Sequence, residues 1–375
     1  MPSGKQITVP FLRAEFPETA PQDLAAVLKS GYVGAGQKVN EFEEALSKYL
    51  GAPHVICTSS CTSALTLAYI QLGVKTGSVV LSTPITCVAT NLPLLHLGAD
   101  IKWLDIDPVT GNVTADTILQ GLKRYPDARL VVIMDWAGRP CDYRAIEEVT
   151  LARGVSLVLD AAQSFGSLYE GKLFASCANY VCYSFGPTKI FSTIDGGAIT
   201  TSNKNTAASL KTLRWYGVDR AARDPLMFWD YQIDQAGYRF TTNNICAAVG
   251  LHVLPRFHER LKWHRKIASF YQEELQPVSG IQLPPSDPKL ESNFWMFTVI
   301  AEKREALVKK LHCEGIHAAI PHNRNDKYNC FVKMASQHPL PGVDHFSEHY
   351  LCLPIGPWVS EDDCLRISRL IRAGW

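Results

Sequence analysis

Short apolar runs recur between residues 54 and 202, and segments of helical length lie between most of them. Most runs are nearly continuous in apolar, largely β-branched residues, which is typical of strands covered on both faces. They lie at 54–59, 78–84, 101–107, 129–138, 155–163, 179–185 and 197–202. Helical segments such as 62–72 and 142–153 separate them. This alternation predicts an α/β fold with a mostly parallel, seven-stranded sheet and helices on both faces.

The pattern changes after residue 202. Residues 203–222 and 244–275 are predicted to be helical, with an irregular, aromatic-rich stretch at 224–240 between them. A Pro- and Ser-rich connection at 283–293 precedes a change in composition, and an amphipathic helix closes the chain. We therefore predict a large domain over residues 1–250 and a smaller C-terminal α/β domain over 251–375, with an N-terminal segment that could pack with the small domain.

Composition narrows the possible functions. The 375 residues are 46% hydrophobic and 19% charged, with a net charge of +1, which gives no reason to expect nucleic acid or a membrane as a partner. The first residues do not form a signal peptide, and no apolar stretch is long enough to span a bilayer. Eleven scattered cysteines without a CxxC pair argue against a metal site and favour a reduced, cytoplasmic setting.

Two ionisable residues follow predicted core strands, where ligands bind in open α/β sheets. Asp160 ends an apolar strand, so its carboxylate would suit a cationic partner such as a pyridinium nitrogen. Taken alone, the position favours a helix N-cap. Lys189 lies in a loop of Gly, Pro, Ser and Thr between two core strands, which suits a Schiff base. Most lysines are surface residues, however.

A third element joins the first strand to the first helix of the sheet region. Residues 58–63 read Thr-Ser-Ser-Cys-Thr-Ser, so backbone N–H groups and hydroxyls could bind a phosphate there. Simple capping of the helix by Ser or Thr is the alternative. The order of a phosphate site, a strand-ending aspartate and a later lysine is nevertheless the order that a fold-type-I pyridoxal-phosphate (PLP) enzyme requires.

Several ordered motifs make the chain resemble the DegT/DnrJ/StrS family of sugar aminotransferases from about residue 9 to the C-terminus. They lie at 30–56, 58–73, 82–107, 160–166, 184–201, 237–251 and 351–357, and their number and order make the resemblance specific. The resemblance implies a homodimer with shared active sites that uses PLP. It implies that Lys189 forms the Schiff base and transfers the proton, and that Asp160 pairs with the pyridine nitrogen. It also implies cofactor contacts from Cys61, Thr62, Gln163 and Ser184. The region of Arg239 is implied to reach the cofactor phosphate of the neighbouring subunit.

Five positions depart from the family pattern. Cys61 stands where the family usually has Gly, and Cys87 where an aromatic ring usually stacks on the cofactor. Arg239 replaces an asparagine, and Asp135-Trp136 replaces a pair that often contains histidine. Because these changes cluster around the expected site, they suggest a divergent substrate. Trp136 is therefore a candidate substrate residue, with His322, Asn323, Arg324 and Tyr328 in a polar late loop that could equally be only a solvated surface.

The resemblance implies ping-pong transfer of an amino group from L-glutamate or L-glutamine to a keto group of a nucleotide-linked deoxy sugar. A cyclitol or a non-sugar ketone or aldehyde is an alternative acceptor. Two rival functions share the fold. Sugar dehydratases carry histidine where this chain has Lys189, and non-catalytic binding proteins usually carry an added segment that is not visible here.

Overall fold

The seven apolar runs form one sheet in the computed structural model, which describes residues 7–220, 222, 226–227, 229–336 and 338–375. Its strands are β1 (His54–Thr58), β2 (Val79–Ser82), β3 (Asp100–Trp103), β4 (Leu130–Met134), β5 (Ser156–Asp160), β7 (Tyr180–Ser184) and β8 (Gly197–Thr201). The spatial order is β1-β8-β7-β5-β4-β2-β3, and only β8 runs antiparallel to its neighbours. The predicted mostly parallel α/β sheet is confirmed.

Two smaller sheets accompany the large one among the described residues. One is an antiparallel pair of β6 (Leu168–Tyr169) and β10 (Leu290–Glu291), and the other has three antiparallel strands in the order β12-β11-β9. The strands of that last sheet are β9 (Ile281–Gln282), β11 (Phe297–Ala301) and β12 (Tyr350–Leu353). Their place late in the chain matches the predicted C-terminal α/β unit.

Twelve α-helices lie in the described part of the chain. They are α1 (Ala20–Ser30), α2 (Gln37–Leu50), α3 (Cys61–Gln71), α4 (Val88–His96), α5 (Ala115–Arg124), α6 (Tyr143–Ala152), α7 (Lys204–Leu213), α8 (Asn244–Val253), α9 (Phe257–Leu275), α10 (Arg304–Cys313), α11 (Pro341–His349) and α12 (Glu361–Arg372). None of these described helices is both long and apolar enough to cross a lipid bilayer.

Two helical predictions need correction. The region predicted as one helix over 244–275 is divided into α8 and α9 by a short 3-10 turn that contains Pro255, whose missing N–H cannot continue the α-helical ladder. The helix predicted over 203–222 ends at Leu213, before a turn in which Gly217 has a φ of 81°. Residue 221 of that prediction, and residues 224, 225 and 228 of the predicted irregular stretch, lie outside the described residues.

Apolar packing forms two clusters. The larger surrounds the seven-stranded sheet, and the smaller joins α9, β11, α10, β12 and α12. Val9 belongs to the smaller cluster and pairs with Ile316 through an isolated parallel bridge, so the N-terminal segment contacts the C-terminal unit. The α9 helix contributes Phe257 and Leu261 to one cluster and its later residues to the other. The division into two domains with a boundary at residue 250 therefore stays a prediction.

A buried asparagine fastens the late loop to the large sheet. Asn325 is 0% exposed, and its backbone N–H donates to Pro84 O at 2.8 Å. Its side-chain amide donates to Thr86 O at 2.8 Å and accepts from Asn91 Nδ2 at 2.9 Å. A buried amide gains little unless all its groups are paired, so this set of bonds fixes the loop position closely. The loop is thereby held beside the segment that follows β2.

We expect Asn325→Ala to lower the free energy of unfolding by about 1–3 kcal/mol, because Thr86 O and Asn91 Nδ2 each lose a buried partner. Urea denaturation followed by circular dichroism measures this difference. Asn329→Ala, at an exposed position in the same loop, is the matched control and should change stability by less than about 0.5 kcal/mol. Equal stability of the two variants would contradict the proposed anchor.

Candidate active site

The carboxyl ends of the central strands bring the main predicted residues into one region. Asp160 is the last residue of β5 and Ser184 the last of β7, and Lys189 follows Ser184 in the next loop. Cys61 begins α3, and its Sγ lies 3.7 Å from Asp160 Oδ1. Parallel strands end at a common edge, which explains why residues far apart in sequence meet there.

The Asp160 carboxylate is buried without a cation bonded to it. The residue is 3% exposed, and no described residue forms an ion pair with it. Thr90 Oγ1 donates to Oδ2 at 2.6 Å, and the Ala162 N–H donates to Oδ1 at 3.0 Å. Burial raises the pKa of Asp160, and these hydrogen bonds only partly oppose that shift. A buried carboxylate of this kind is suited to a cationic ligand group.

The Lys189 amine lies over an aromatic ring at the edge of the same site. Its Nζ is 3.7 Å from the centroid of the Trp295 ring, and the residue is half-buried. Burial lowers the pKa of Lys189, because surrounding protein disfavours the ammonium form, although part of the side chain remains accessible. A lysine with a lowered pKa is a better nucleophile and base at neutral pH.

The predicted anion site lies at the start of α3. Ser60 caps the helix by accepting a hydrogen bond from Ser63 N at 3.1 Å. The first N–H groups of a helix, here those of Cys61 and Thr62, have no partner within the helix and can bind a phosphate. Gly197 of β8 lies so close that an added Cβ would stand 2.4 Å from the carbonyl carbon of Ser60. Glycine at 197 therefore keeps the turn in place against the sheet.

Gln163 and His322 meet across the site. Gln163 Oε1 accepts from Ala137 N at 2.7 Å, and its Nε2 lies 3.5 Å from His322 Nε2. Burial, and then the charge of Lys189, lower the pKa of His322 to about 4, so its imidazole is neutral at physiological pH. The structure thus brings one predicted cofactor residue and one predicted substrate residue together.

The Trp136 ring packs against the His322 ring. Trp136 is 1% exposed, its ring lies edge-on to that of His322 at a centroid distance of 5.8 Å, and its Nε1 donates to Thr298 Oγ1 at 3.0 Å. Tyr350 also donates its hydroxyl proton to His322 O. Trp136 is thus deeply buried and contacts His322, and its predicted role toward a substrate stays a prediction.

Cys87 and Arg239 occupy different surroundings. Cys87 is the half-buried N-cap of α4, and its thiol is close enough to Lys189 to act electrostatically on the pKa of that lysine. Arg239 is exposed, stacks on the Trp215 ring at 4.4 Å and donates to Thr241 Oγ1. Within the described contacts of this chain, Arg239 does not reach the region of Asp160 and Lys189.

The predicted substrate residues of the polar late loop have different surroundings. Arg324 donates to Asp326 at 2.7 Å and also pairs with Asp344, so its charge is already balanced by two carboxylates. The predicted contact of Arg324 with a substrate stays a prediction. Asn323 and Tyr328 are exposed at the surface of the loop.

Sequence reasoning missed Thr90 and Trp295. Thr90 lies in a helix-forming segment 70 residues from Asp160, and nothing in the local pattern indicates their hydrogen bond. Trp295 lies in an apolar run that reads as a core strand, 106 residues after Lys189. Among the described residues, no group of His, Cys, Asp or Glu is arranged to hold a metal ion.

Comparison with known proteins agrees with this arrangement. A family model for the DegT/DnrJ/EryC1/StrS aminotransferase family matches residues 16–372. The UDP-4-amino-4,6-dideoxy-N-acetyl-beta-L-altrosamine transaminase of Campylobacter jejuni is 30% identical over 339 residues, which are 88% of each chain. The GDP-perosamine synthase of Caulobacter vibrioides is 30% identical over 289 residues, or 76% of each chain.

A solved structure shows the same fold. The sugar aminotransferase CalS13 from Micromonospora echinospora superposes with a TM-score of 0.92 at 32% sequence identity, covering 98% of this chain and 100% of that chain. The match extends through both the large sheet and the C-terminal unit. The chain therefore belongs to the DegT/DnrJ/EryC1/StrS aminotransferase family, whose members are PLP-dependent transaminases of fold type I.

Proposed function

We propose that this transaminase moves an amino group from L-glutamate or L-glutamine to the keto group of a nucleotide-linked deoxy sugar. The observation that carries the proposal is the meeting of the buried Asp160 carboxylate with the Lys189 amine at the ends of central strands. The acceptor class is supported by relatives named for UDP- and GDP-linked amino sugars, each covered over three quarters of its length or more.

The residues present fit PLP. Asp160 is a buried carboxylate that needs a cation, and a pyridinium N–H would supply one. The N–H groups of Cys61 and Thr62, with Ser184 nearby, would bind the phosphate, and Lys189 would be the point of covalent attachment. Bound PLP supplies an electron sink that stabilises negative charge on the carbon carrying the amino group.

The side chains of this site have separable tasks. Lys189, whose pKa is lowered by burial, would move a proton between the substrate carbon and the cofactor. Asp160 keeps the pyridine nitrogen protonated. Gln163 is fixed by Ala137 N and directs its amide toward His322, and it would be a hydrogen-bonding partner for the cofactor ring. His322, being neutral, can accept or donate a hydrogen bond without adding a charge to the site.

A non-sugar or cyclitol ketone or aldehyde is the second candidate acceptor. The observation that favours it is the small thiol of Cys87 beside Lys189, where related enzymes usually carry a ring, because the wall of the site then has a different shape. A dehydratase or a non-catalytic binding protein is less well supported, since Lys189 and Asp160 are both present and close together.

We further propose a homodimer in the cytoplasm. Arg239 and the exposed aromatic residues Tyr32 and Tyr238 lie away from this chain's own Lys189, as expected for groups that serve a partner's site. All eleven cysteines are free thiols, which fits a reducing compartment.

Lys189→Ala should abolish the visible absorbance band of the PLP-loaded protein and reduce transamination by roughly 10³-fold or more, because the attachment point and the base are lost together. The measurements are the absorbance spectrum and the release of 2-oxoglutarate after L-glutamate is added. Lys204→Ala, at an exposed position on α7, is the control and should behave as the unaltered protein. A protein that never binds PLP, even when it is supplied, would refute the proposed function.

On acidification, Thr90→Val should lose its affinity for PLP at a pH about one unit higher than the unaltered protein does. The Thr90 hydroxyl stabilises the ionised form of Asp160, so its removal raises a pKa that burial already raises. Since cofactor binding needs the carboxylate, affinity is then lost at a higher pH as the solution is acidified. Titration with PLP at several pH values measures this, and Thr150→Val, whose hydroxyl bonds only to its own helix, is the control. Loss of PLP affinity at the same pH in Thr90→Val and the unaltered protein would contradict the role of Thr90.

Mixing inactive Lys189→Ala and Arg239→Ala proteins should restore activity if the sites are shared. A mixed dimer would contain one site with Lys189 from one subunit and Arg239 from the other. Activity after unfolding and refolding the two variants together is the measurement, and refolding each variant alone is the control. Failure to recover activity, with mixed dimers demonstrated by mass, would argue against a contribution of Arg239 to the neighbouring site.

A further inference from the structure

Trp295 touches the reactive lysine loop in two independent ways. The indole is 3% exposed, and its face lies 3.7 Å from Lys189 Nζ, measured to the ring centroid. Its Nε1 donates a hydrogen bond of 2.7 Å to the carbonyl oxygen of Thr188, the residue directly before the lysine. The same side chain therefore contacts both the end of the lysine and the backbone from which the lysine extends.

Buried hydrogen bonds fix Trp295 itself. Its backbone N–H donates to Asn293 Oδ1 at 2.8 Å, and Asn293 is 0% exposed. The Asn293 amide in turn donates to Gln163 O at 2.9 Å and Phe165 O at 3.0 Å, in the turn after β5. Gly138 permits this close packing, since a Cβ there would collide with Asn293 Oδ1. The platform under Lys189 is thus tied to the turn that carries Gln163.

We propose that Trp295 is a positioning residue that holds the Lys189 ammonium on its indole face and fixes the lysine loop through Thr188. The inference rests on the proposed function only in taking Lys189 as the reacting amine. An indole is the aromatic ring that attracts a cation most strongly, and the attraction grows when both groups are shielded from water. While the Lys189 amine is not bonded to the cofactor, the Trp295 indole would keep it within reach of the substrate carbon.

Several groups act on the Lys189 charge from the surrounding elements. Burial is the largest influence and disfavours the ammonium form of Lys189, whereas Cys87, Asp160 and Cys61 favour it. The Trp295 face adds to the groups that favour the ammonium form. Its removal should therefore lower the pKa of Lys189 further, whereas removal of a distant tryptophan should leave that pKa unchanged.

The test measures the Lys189 pKa in the cofactor-free protein by competitive acetylation with acetic anhydride at a series of pH values. Mass spectrometry of the Lys189 peptide reports the labelling rate. Trp295→Leu should lower the pKa by about one unit, since both ring and N–H are lost. Trp295→Phe keeps a ring, so the pKa of Lys189 in this variant should lie between its values in the unaltered protein and in Trp295→Leu. Hydrogen exchange at residues 186–190 should increase in Trp295→Phe, because the hydrogen bond to Thr188 O is lost.

Trp263→Leu is the matched control. Trp263 also has a lysine over its ring, Lys266 at 5.4 Å, and an Nε1 bond to a carbonyl, Gly356 O at 3.0 Å, but it does not contact Lys189. The proposal would be overturned by an unchanged Lys189 pKa in Trp295→Leu. If the leucine variant does not fold, an unchanged Lys189 pKa together with unaltered hydrogen exchange in Trp295→Phe would overturn it. Because labelling needs no PLP, this failure is distinguishable from failure of the protein to bind the cofactor.

Discussion

The burial of one carboxylate organises this site. Asp160 ends a strand in the middle of the sheet, where solvent is excluded and an unpaired negative charge is costly. The protein lessens that cost with hydrogen bonds from α3, α4 and the turn after β5, but it supplies no bonded cation among its described residues. A positively charged ligand group would therefore complete the site electrostatically, as proposed for the pyridinium of PLP.

Buried amides extend this organisation from the sheet to the C-terminal unit. Asn325 joins the late loop to the segment after β2, and Asn293 joins the connection before β11 to the turn after β5. Both side chains are fully buried, so a shift of either segment would break several hydrogen bonds at once. His322 and Trp295 therefore approach Lys189 in fixed positions, although they come from a part of the chain more than a hundred residues away.

The features that could be predicted from the sequence are those that depend on the local pattern of apolar residues. Seven apolar runs predicted all seven strands of the large sheet, and the strand-ending position of Asp160 followed directly from its run. Contacts such as Thr90 with Asp160, or Trp295 with Lys189, join residues whose neighbours in sequence carry no sign of them. The pairing of Arg324 with Asp344 was likewise invisible, because it depends on how α11 packs against the late loop. Long-range partners of polar side chains were thus the part that sequence could not supply.

The unusual residues around the site adjust its chemistry without removing it. The Cys61 thiol stays protonated, because burial raises its pKa, and it donates to Asp160 Oδ1. The backbone N–H of Cys61 lies at the start of α3, where it has no partner within the helix. A glycine there would offer the same backbone group but no donor to the carboxylate. Cys87 presents a side chain smaller than the usual ring and places a thiol near the Lys189 amine. Both residues thus lie beside one of the two ionisable groups that the proposed reaction needs, while the lysine and the aspartate stay in place.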